Sequence, residues 1–373
     1  MRDPRLERLA GLMLNHSMKI KRGEAFHISA DVVGLPLVKA ILRQAARMGA
    51  LAQVELTSQE VSRLTLEMYD PEDDGVTAAF LADKAQSDIR RFANLVGDIV
   101  IRAYPNDQEL AGIAPEVLQL SALQSKPFKD LLINHRRWVL FEYPTPAQAQ
   151  KMNMSFDRFF DFVLDVSSID YQAMQRNAEQ LKILMEKTDR VRIIAPGTDL
   201  AFSIRGMPAV PCCGEFNIPD GECFTAPVRE SVQGYITFNA PSNYWGRTFN
   251  DIRLDFSNGK IVQASAGGQT DFLNKILDSD AGARWIGEFA LGFNPLIREP
   301  FCNTLFDEKI CGSFHFTPGS CYDEASNGNQ SAIHWDLVQI QRPEYGGGEI
   351  WFDDELVRKD GLFTIPELLA LNP

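Results

Sequence analysis

The chain has 373 residues, enough for two domains of ordinary size. Apolar residues make up 45% and charged residues 23%, a balance that excludes a mainly disordered protein. The formal net charge of −13 argues against non-specific binding to nucleic acid or to anionic membranes, because both need a basic surface.

The N-terminal segment predicts an amphipathic helix over 4–16, where leucines recur at near-helical spacing. Charged residues interrupt this segment, so it is not typical of a signal peptide. No stretch approaches the ~18 apolar residues that a membrane span needs. The six cysteines contain no C-x-x-C pair and favour reduced thiols over a disulfide framework. We therefore expect a soluble, cytoplasmic protein.

Strands and helices alternate along the first half of the chain. The predicted strands cover 25–29, 51–57, 98–104 and 137–143, and an amphipathic helix covers 34–50. This alternation predicts a parallel α/β sheet. No Gly-rich phosphate loop follows any of these strands, so we do not expect a nucleotide site in this half.

A long helix predicted over 170–188 leads into a region with a different pattern. Short strand-like runs, broken by Gly, Pro, Asn and Asp, follow at 190–196, 199–205, 233–239, 251–257 and 260–266. The pair Asn258-Gly259 predicts a hairpin between the last two runs. The sequence therefore predicts an α/β N-terminal domain over 1–189 and a strand-rich mixed α+β C-terminal domain over 190–373.

Two histidines of the second half lie in strand-like runs. His334 and Asp336 are two residues apart, so a strand would project both side chains from one face. An imidazole and a carboxylate placed together can bind a divalent metal, and a polar pair on a solvated strand is the alternative. His315 lies in the run 310–316.

Two glutamates strengthen the metal interpretation. Glu222 lies among Pro and Gly residues, and Glu288 lies in an otherwise apolar stretch. A buried carboxylate is costly unless it is paired or bound to a metal, and a helix-end salt bridge is the alternative for each. With His315, His334 and Asp336 they form a ligand set that suits zinc, manganese or cobalt.

Two further side chains flank this set. Tyr322 follows His315 past a Pro-Gly turn, and a tyrosine beside metal ions can stabilise a developing oxyanion; a structural role is the alternative. Glu308 could relay protons, but a salt bridge with Lys309 is the interpretation we favour.

The segments that carry these residues are similar to the motifs of a known family. NIPDGECFTAPV, GARWIGEFALGFNP, LFDEKICGSFHFTPGSCY and SAIHWDLV resemble, in this order, those of the metalloaminopeptidases of the aminopeptidase T, aminopeptidase S and PepS type. The resemblance is dense over about residues 214–340 and weak over the first half. The interval between Tyr322 and His334 is shorter than the family pattern, so substrate preference is not transferred.

The resemblance assigns a role to each candidate residue. It implies two divalent metal ions held by Glu222, Glu288, His315, His334 and Asp336, with Tyr322 as the active-site tyrosine. It also implies a homodimer whose active sites face an internal cavity, with the N-terminal domain contributing to dimerisation or to the cavity wall.

The leading hypothesis is an aminopeptidase that removes N-terminal residues from peptides by a co-catalytic two-metal mechanism. Among the carboxylates, we expect Glu222 to bridge the two ions. One alternative is a mononuclear non-haem iron ring-cleaving dioxygenase, resembling dihydroxypyridine dioxygenases, that uses His315, His334 and Asp336. A metal-stabilised binding protein without catalysis is the third, but such a protein would lack a ligand or Tyr322.

Overall fold

A computed structural model describes residues 3–373. The helices, numbered in chain order, are α1 (Pro4–Leu12), α2 (Leu35–Met48), α3 (Gln59–Glu67), α4 (Val76–Arg91), α5 (Pro115–His135), α6 (Pro146–Lys151), α7 (Phe156–Ser167), α8 (Tyr171–Lys187), α9 (Thr270–Leu277) and α10 (Thr304–Asp307). Within this described range, no helix is both long and apolar enough to cross a membrane.

The strands are also numbered in chain order. They are β1 (Ala25–Asp31), β2 (Leu51–Thr57), β3 (Gly97–Arg102), β4 (Arg137–Glu142), β5 (Arg190–Ala195), β6 (Thr198–Ser203), β7 (Val210–Cys212), β8 (Asn217–Ile218), β9 (Glu222–Thr225), β10 (Gln233–Thr237), β11 (Ser242–Tyr244), β12 (Arg247–Phe249), β13 (Arg253–Ser257), β14 (Lys260–Ser265), β15 (Ile286–Gly292), β16 (Ser313–Pro318), β17 (Leu337–Ile340), β18 (Glu349–Phe352), β19 (Glu355–Lys359) and β20 (Leu362–Phe363).

The chain divides into two compact units. The first contains the chain up to Ile169 together with Gly214–Ile218, and the second contains Asp170–Cys213 and Pro219–Pro373. The domain boundary predicted near residue 189 therefore lies within the second unit, after the long helix α8.

The first unit is built on a parallel sheet with strand order β2-β1-β3-β4-β8. Parallel neighbours need crossover connections, and helices supply them here. Helix α2, for example, buries apolar residues from Leu37 to Ala45 at helical spacing. The predicted parallel α/β architecture of the N-terminal region is confirmed.

The second unit contains two multi-stranded antiparallel sheets and the separate two-stranded pair β11-β12. The large sheet has strand order β14-β13-β10-β6-β5-β18-β19-β20, and the small sheet has order β17-β16-β15-β9-β7. The predicted hairpin joins β13 to β14, and Asn258 and Gly259 both have positive φ, as a two-residue hairpin turn requires. The strand-rich character predicted for the C-terminal region is confirmed.

Aromatic side chains join the two sheets of the second unit. Phe202 of the large sheet lies 5.0 Å from Phe289 and 5.1 Å from Phe316 of the small sheet, measured between ring centroids. All three are buried, and tilted or edge-on aromatic pairs at this separation add to the free energy of burial. One face of the small sheet is thereby committed to the core.

Gly97 shows how closely the strands of the first unit approach each other. It pairs with Arg137 in the parallel sheet, and a Cβ atom at this position would lie 1.8 Å from the Arg137 carbonyl oxygen. Gly97→Ala should therefore lower the free energy of unfolding by about 1–3 kcal/mol, measured by urea denaturation.

The matched control for this substitution is Gly11→Ala in α1 of the same unit. There the added methyl group meets only the flexible end of Gln44, and replacing a helical glycine by alanine is favourable. Equal stability of the two variants would contradict the close strand approach.

Candidate metal centre

Three candidate metal ligands, each from a different strand, share one face of the small sheet. Glu222 opens β9, Glu288 lies in β15 and His315 lies in β16. The register pairs Gly292 of β15 with Glu222 and Ala290 with His315. Because alternate residues of a strand point to the same face, Glu288 projects beside both of them.

The alternation of residues explains why this face can hold polar groups. Phe289 and Phe316 point to the opposite face, where they pack on the large sheet. On the polar face the central strand carries small residues, Ala290 and Gly292, which leave room for longer side chains. A β-bulge between Ile286 and Glu288 interrupts the ladder next to the site, as is common beside active sites.

His334 and Asp336 reach the same site from outside the regular strand. The sequence interpretation assigned both to one strand, but β17 begins at Leu337, and His334 forms only an isolated bridge with Gly319. That interpretation is wrong because Pro318 ends β16 and has no N–H to continue the ladder. The two side chains nevertheless converge, with His334 Nε2 3.3 Å from Asp336 Oδ1.

Glu288 lies between the two histidines. Its Oε1 atom is 2.7 Å from His315 Nε2, and its Oε2 atom is 3.7 Å from His334 Nε2. Glu222 Oε2 lies 3.5 Å from the same nitrogen of His315. Potential ligand atoms form two groups in which every pair lies within 4.8 Å: Glu222, Glu288 and His315 form one, and Glu288, His334 and Asp336 form the other.

The buried carboxylates of the cluster need positive charge nearby. Burial raises the pKa of Glu288, so its charged form needs nearby compensation. Burial disfavours the imidazolium forms as well, but the neighbouring carboxylates raise the pKa of His315 to about 9 and that of His334 to about 10. Burial also opposes ionisation of Asp336, yet the two histidines hold its pKa well below the usual range.

Two hydrogen bonds orient the second group. The Thr317 hydroxyl donates to Asp336 Oδ1 over 2.7 Å, and Thr317 shares a face of β16 with His315. His334 Nδ1 lies 2.8 Å from the Ser320 carbonyl oxygen, which can only accept, so Nδ1 carries a proton. This bond fixes the imidazole orientation with Nε2 directed at Glu288 and Asp336.

Sequence reasoning missed the central position of Lys309. Its Nζ atom lies 2.6 Å from Glu222 Oε1, 2.8 Å from Glu308 Oε1 and 3.4 Å from Asp220 Oδ1. The favoured pairing with Glu308 is present, but Lys309 is also fully buried against Glu222. A lysine directly before the apolar run 310–316 was the only signal in the sequence, and it did not identify the partners.

Tyr322 lies at the edge of the cluster. Its ring is 4.7 Å from the His334 ring and 5.5 Å from the Phe224 ring, and about half of the residue is exposed. Burial of part of the side chain, together with the carboxylates of Glu288 and Asp336, raises the pKa of Tyr322. The hydroxyl group therefore keeps its proton at neutral pH and can donate a hydrogen bond.

The donor set fits divalent metal ions. Among the described residues, the buried atoms Glu222 Oε2 and Glu288 Oε2 have no hydrogen-bond partner. A buried carboxylate oxygen without a donor is costly, and a bound cation removes that cost. Carboxylate oxygens combined with imidazole nitrogens are suitable ligands for zinc, manganese and cobalt.

Comparison with known proteins finds similarity along most of the chain. The family model described as thermophilic metalloprotease (M29) matches residues 2–347. Aminopeptidase 2 of Geobacillus stearothermophilus is 25% identical over 86% of this chain and 84% of its own length. Aminopeptidase T of Thermus thermophilus is 24% identical over 89% of this chain and 91% of its own length.

A solved structure shares the fold. Wild-type AmpT from Thermus thermophilus aligns with 97% of this chain and 99% of its own, with a TM-score of 0.80 and 22% sequence identity. The alignment covers both the parallel sheet of the first unit and the antiparallel sheets of the second.

The contact between Thr317 and Asp336 can be tested through metal affinity. Thr317→Val keeps the side-chain shape but removes the hydrogen bond, so affinity for Zn²⁺ should fall about 10–100-fold in competition with a chelator. Thr225→Val is the matched control, because the Thr225 hydroxyl donates to the Pro208 carbonyl oxygen instead of a ligand. Equal affinities of both variants and the unmodified protein would contradict this orienting role.

Proposed function

The chain belongs to the thermophilic metalloprotease (M29) family, and from this membership we propose that it removes N-terminal residues from peptides with a pair of divalent metal ions. The resemblance found in the sequence motifs is thereby confirmed at the level of the family, and the chain is a metal-dependent hydrolase. The names of its relatives, aminopeptidase 2 and aminopeptidase T, support an exopeptidase that acts from the N-terminus.

The observation that carries the two-metal proposal is the shared position of Glu288. It belongs to both groups of potential ligand atoms, and its two carboxylate oxygens face different histidines. We propose Glu288 as the bridging ligand in place of Glu222, which the sequence favoured. Lys309 already occupies Glu222 Oε1, which leaves Glu222 with one oxygen for a single ion.

The charge of the cluster supports two ions over one. Among the described residues, the connected contacts contain five carboxylates and one ammonium group: Asp220, Glu222, Glu288, Glu308 and Asp336, with Lys309. With neutral histidines and all five carboxylates ionised, as nearby cations favour, two divalent cations would bring this set to neutrality. A buried cluster with a large uncompensated charge would be unstable, so this charge balance supports two bound ions.

The candidate ligands would place both metal ions, and with them the peptide-bond cleavage, at the small sheet. Glu222, Glu288 and His315 would hold one ion, and Glu288, His334 and Asp336 the other. When bound, such a pair lowers the pKa of a water molecule, polarises the peptide carbonyl group and offers a position for the free N-terminal amine.

Three side chains of the protein would then act on the substrate or on the ligands. The protonated Tyr322 hydroxyl would donate a hydrogen bond to the oxygen that becomes negative as the peptide bond is attacked. Burial raises the pKa of Glu308, and this carboxyl group, held beside Lys309, would accept a proton from water and return it to the leaving amine. Lys309 would keep Glu308 and Glu222 in fixed positions.

No observation favours the dioxygenase alternative. That enzyme would need His315, His334 and Asp336 around one iron, but His315 belongs to one group of potential ligand atoms and the other two residues to the second. Glu222 and Glu288 would have no role there. The family match is to a metalloprotease.

Two finer expectations, the oligomeric state and the identity of the metal, belong to the proposal. We infer a homodimer from the family resemblance, with the first unit contributing to its assembly. We also infer zinc, cobalt or manganese as the metal, because each accepts oxygen and imidazole ligands.

One assay tests the function directly. Protein purified without added metal should contain two divalent ions per chain and release p-nitroaniline from Leu-p-nitroanilide. The same preparation, supplied with a dihydroxypyridine, should consume no oxygen. One iron per chain with oxygen uptake, and no release of p-nitroaniline, would contradict the proposal.

The bridging role predicts different metal contents for two isosteric variants. Glu288→Gln should abolish binding of both ions, because the amide weakens the ligand that they share. Glu222→Gln should remove one ion and retain the other, since Glu288, His334 and Asp336 remain. Plasma emission spectrometry measures both stoichiometries, and the reverse pattern would show that Glu222 bridges.

A further inference from the structure

A short hairpin beside the metal centre carries an unusual residue at its turn. Strands β11 and β12 pair Tyr244 with Arg247, so Trp245 and Gly246 form a two-residue turn. Trp245 has φ +46° and Gly246 has φ +73°, the left-handed conformations of a type I′ turn. This position favours Asn, Asp or Gly, and a bulky residue there is strained. A strained backbone of this kind is concentrated at functional sites.

The aromatic side chains of this hairpin connect to the ligand segment. Trp245 is 55% exposed and stacks on Tyr244 at 6.1 Å, and Tyr244 stacks on Trp335 at 4.6 Å. Trp335 is buried and stands in the sequence between His334 and Asp336. The exposed indole of Trp245 is thus the outer end of an aromatic stack. Its inner end, Trp335, lies in the sequence between two candidate ligands.

The base of the hairpin lies next to one of the proposed ligands. Ser242 and Asn243 line the same small cavity as Asp336, and Trp335 Nε1 donates to Ser242 Oγ over 2.8 Å. Trp245 follows Asn243 by two residues, so their Cα atoms are at most about 7 Å apart. Trp245 is thereby close in the chain to a residue that lines the cavity beside Asp336.

We propose that Trp245 forms the wall of a subsite for apolar side chains of the departing peptide, downstream of the bond that is cleaved. This assignment rests on the proposed aminopeptidase function. The N-terminal residue of a bound peptide would lie at the metal ions. The residues after the cleaved bond would leave the site past exposed side chains. An exposed indole supported by Tyr244, with Phe272 6.5 Å away, offers an apolar surface to that part of the peptide.

The test compares two tripeptides that differ only after the cleaved bond, Leu-Phe-Phe and Leu-Gly-Gly. In the unmodified enzyme, kcat/KM should favour Leu-Phe-Phe. Trp245→Gly should reduce this preference about tenfold, mainly through KM, because one aromatic contact is lost. Glycine suits the left-handed turn, so the melting temperature should stay the same or rise. Trp245→Asn, which also accepts this conformation, should reproduce the lost preference.

Phe80→Ala is the control, since Phe80 is an exposed aromatic residue of the first unit. It should retain the preference of the unmodified enzyme. If the unmodified enzyme cleaves both peptides and Trp245→Gly keeps their ratio, the subsite is refuted while the proposed function stands. If Trp245→Gly instead dissociates an oligomer without changing the ratio, the indole serves a second copy and the proposal is also refuted. Cleavage of neither peptide would overturn the proposed function itself.

Discussion

The burial of Glu288 on the central strand of the small sheet is the constraint on which the rest of the site depends. A carboxylate surrounded by protein must be compensated, and Glu288 meets a histidine at each of its two oxygens. The alternation of β15 supplies the geometry, because it directs Phe289 into the core and Glu288 to the opposite face. One strand therefore supplies both a core contact and a candidate ligand.

The surrounding contacts follow from the same need for compensation. Lys309 neutralises part of the negative charge and takes one oxygen of Glu222, so the two glutamates are no longer equivalent. Thr317 and the Ser320 carbonyl group orient Asp336 and His334 in the second group. Such supporting hydrogen bonds orient the ligands, and their loss lowers metal affinity. The asymmetry between Glu222 and Glu288 thus has a structural origin.

The sequence predicted the architecture because hydrophobic period and turn residues are local signals; the Asn258-Gly259 hairpin is an example. It also identified the five candidate ligands, Glu308 and Tyr322, but not Asp220, Thr317 or the central position of Lys309. What it missed depends on contacts between distant strands. No local pattern shows that Lys309 meets Glu222, that Glu288 belongs to both groups of potential ligand atoms, or that a proline ends β16 before His334 can join the ladder.

The central proposal is that two metal ions would share Glu288. Anomalous diffraction from crystals grown with Mn²⁺ tests it most directly, because it locates the ions independently of activity. The account predicts two peaks about 3.5–4 Å apart, each next to a different carboxylate oxygen of Glu288. A single peak coordinated by His315, His334 and Asp336, or a pair bridged by Glu222, would contradict it.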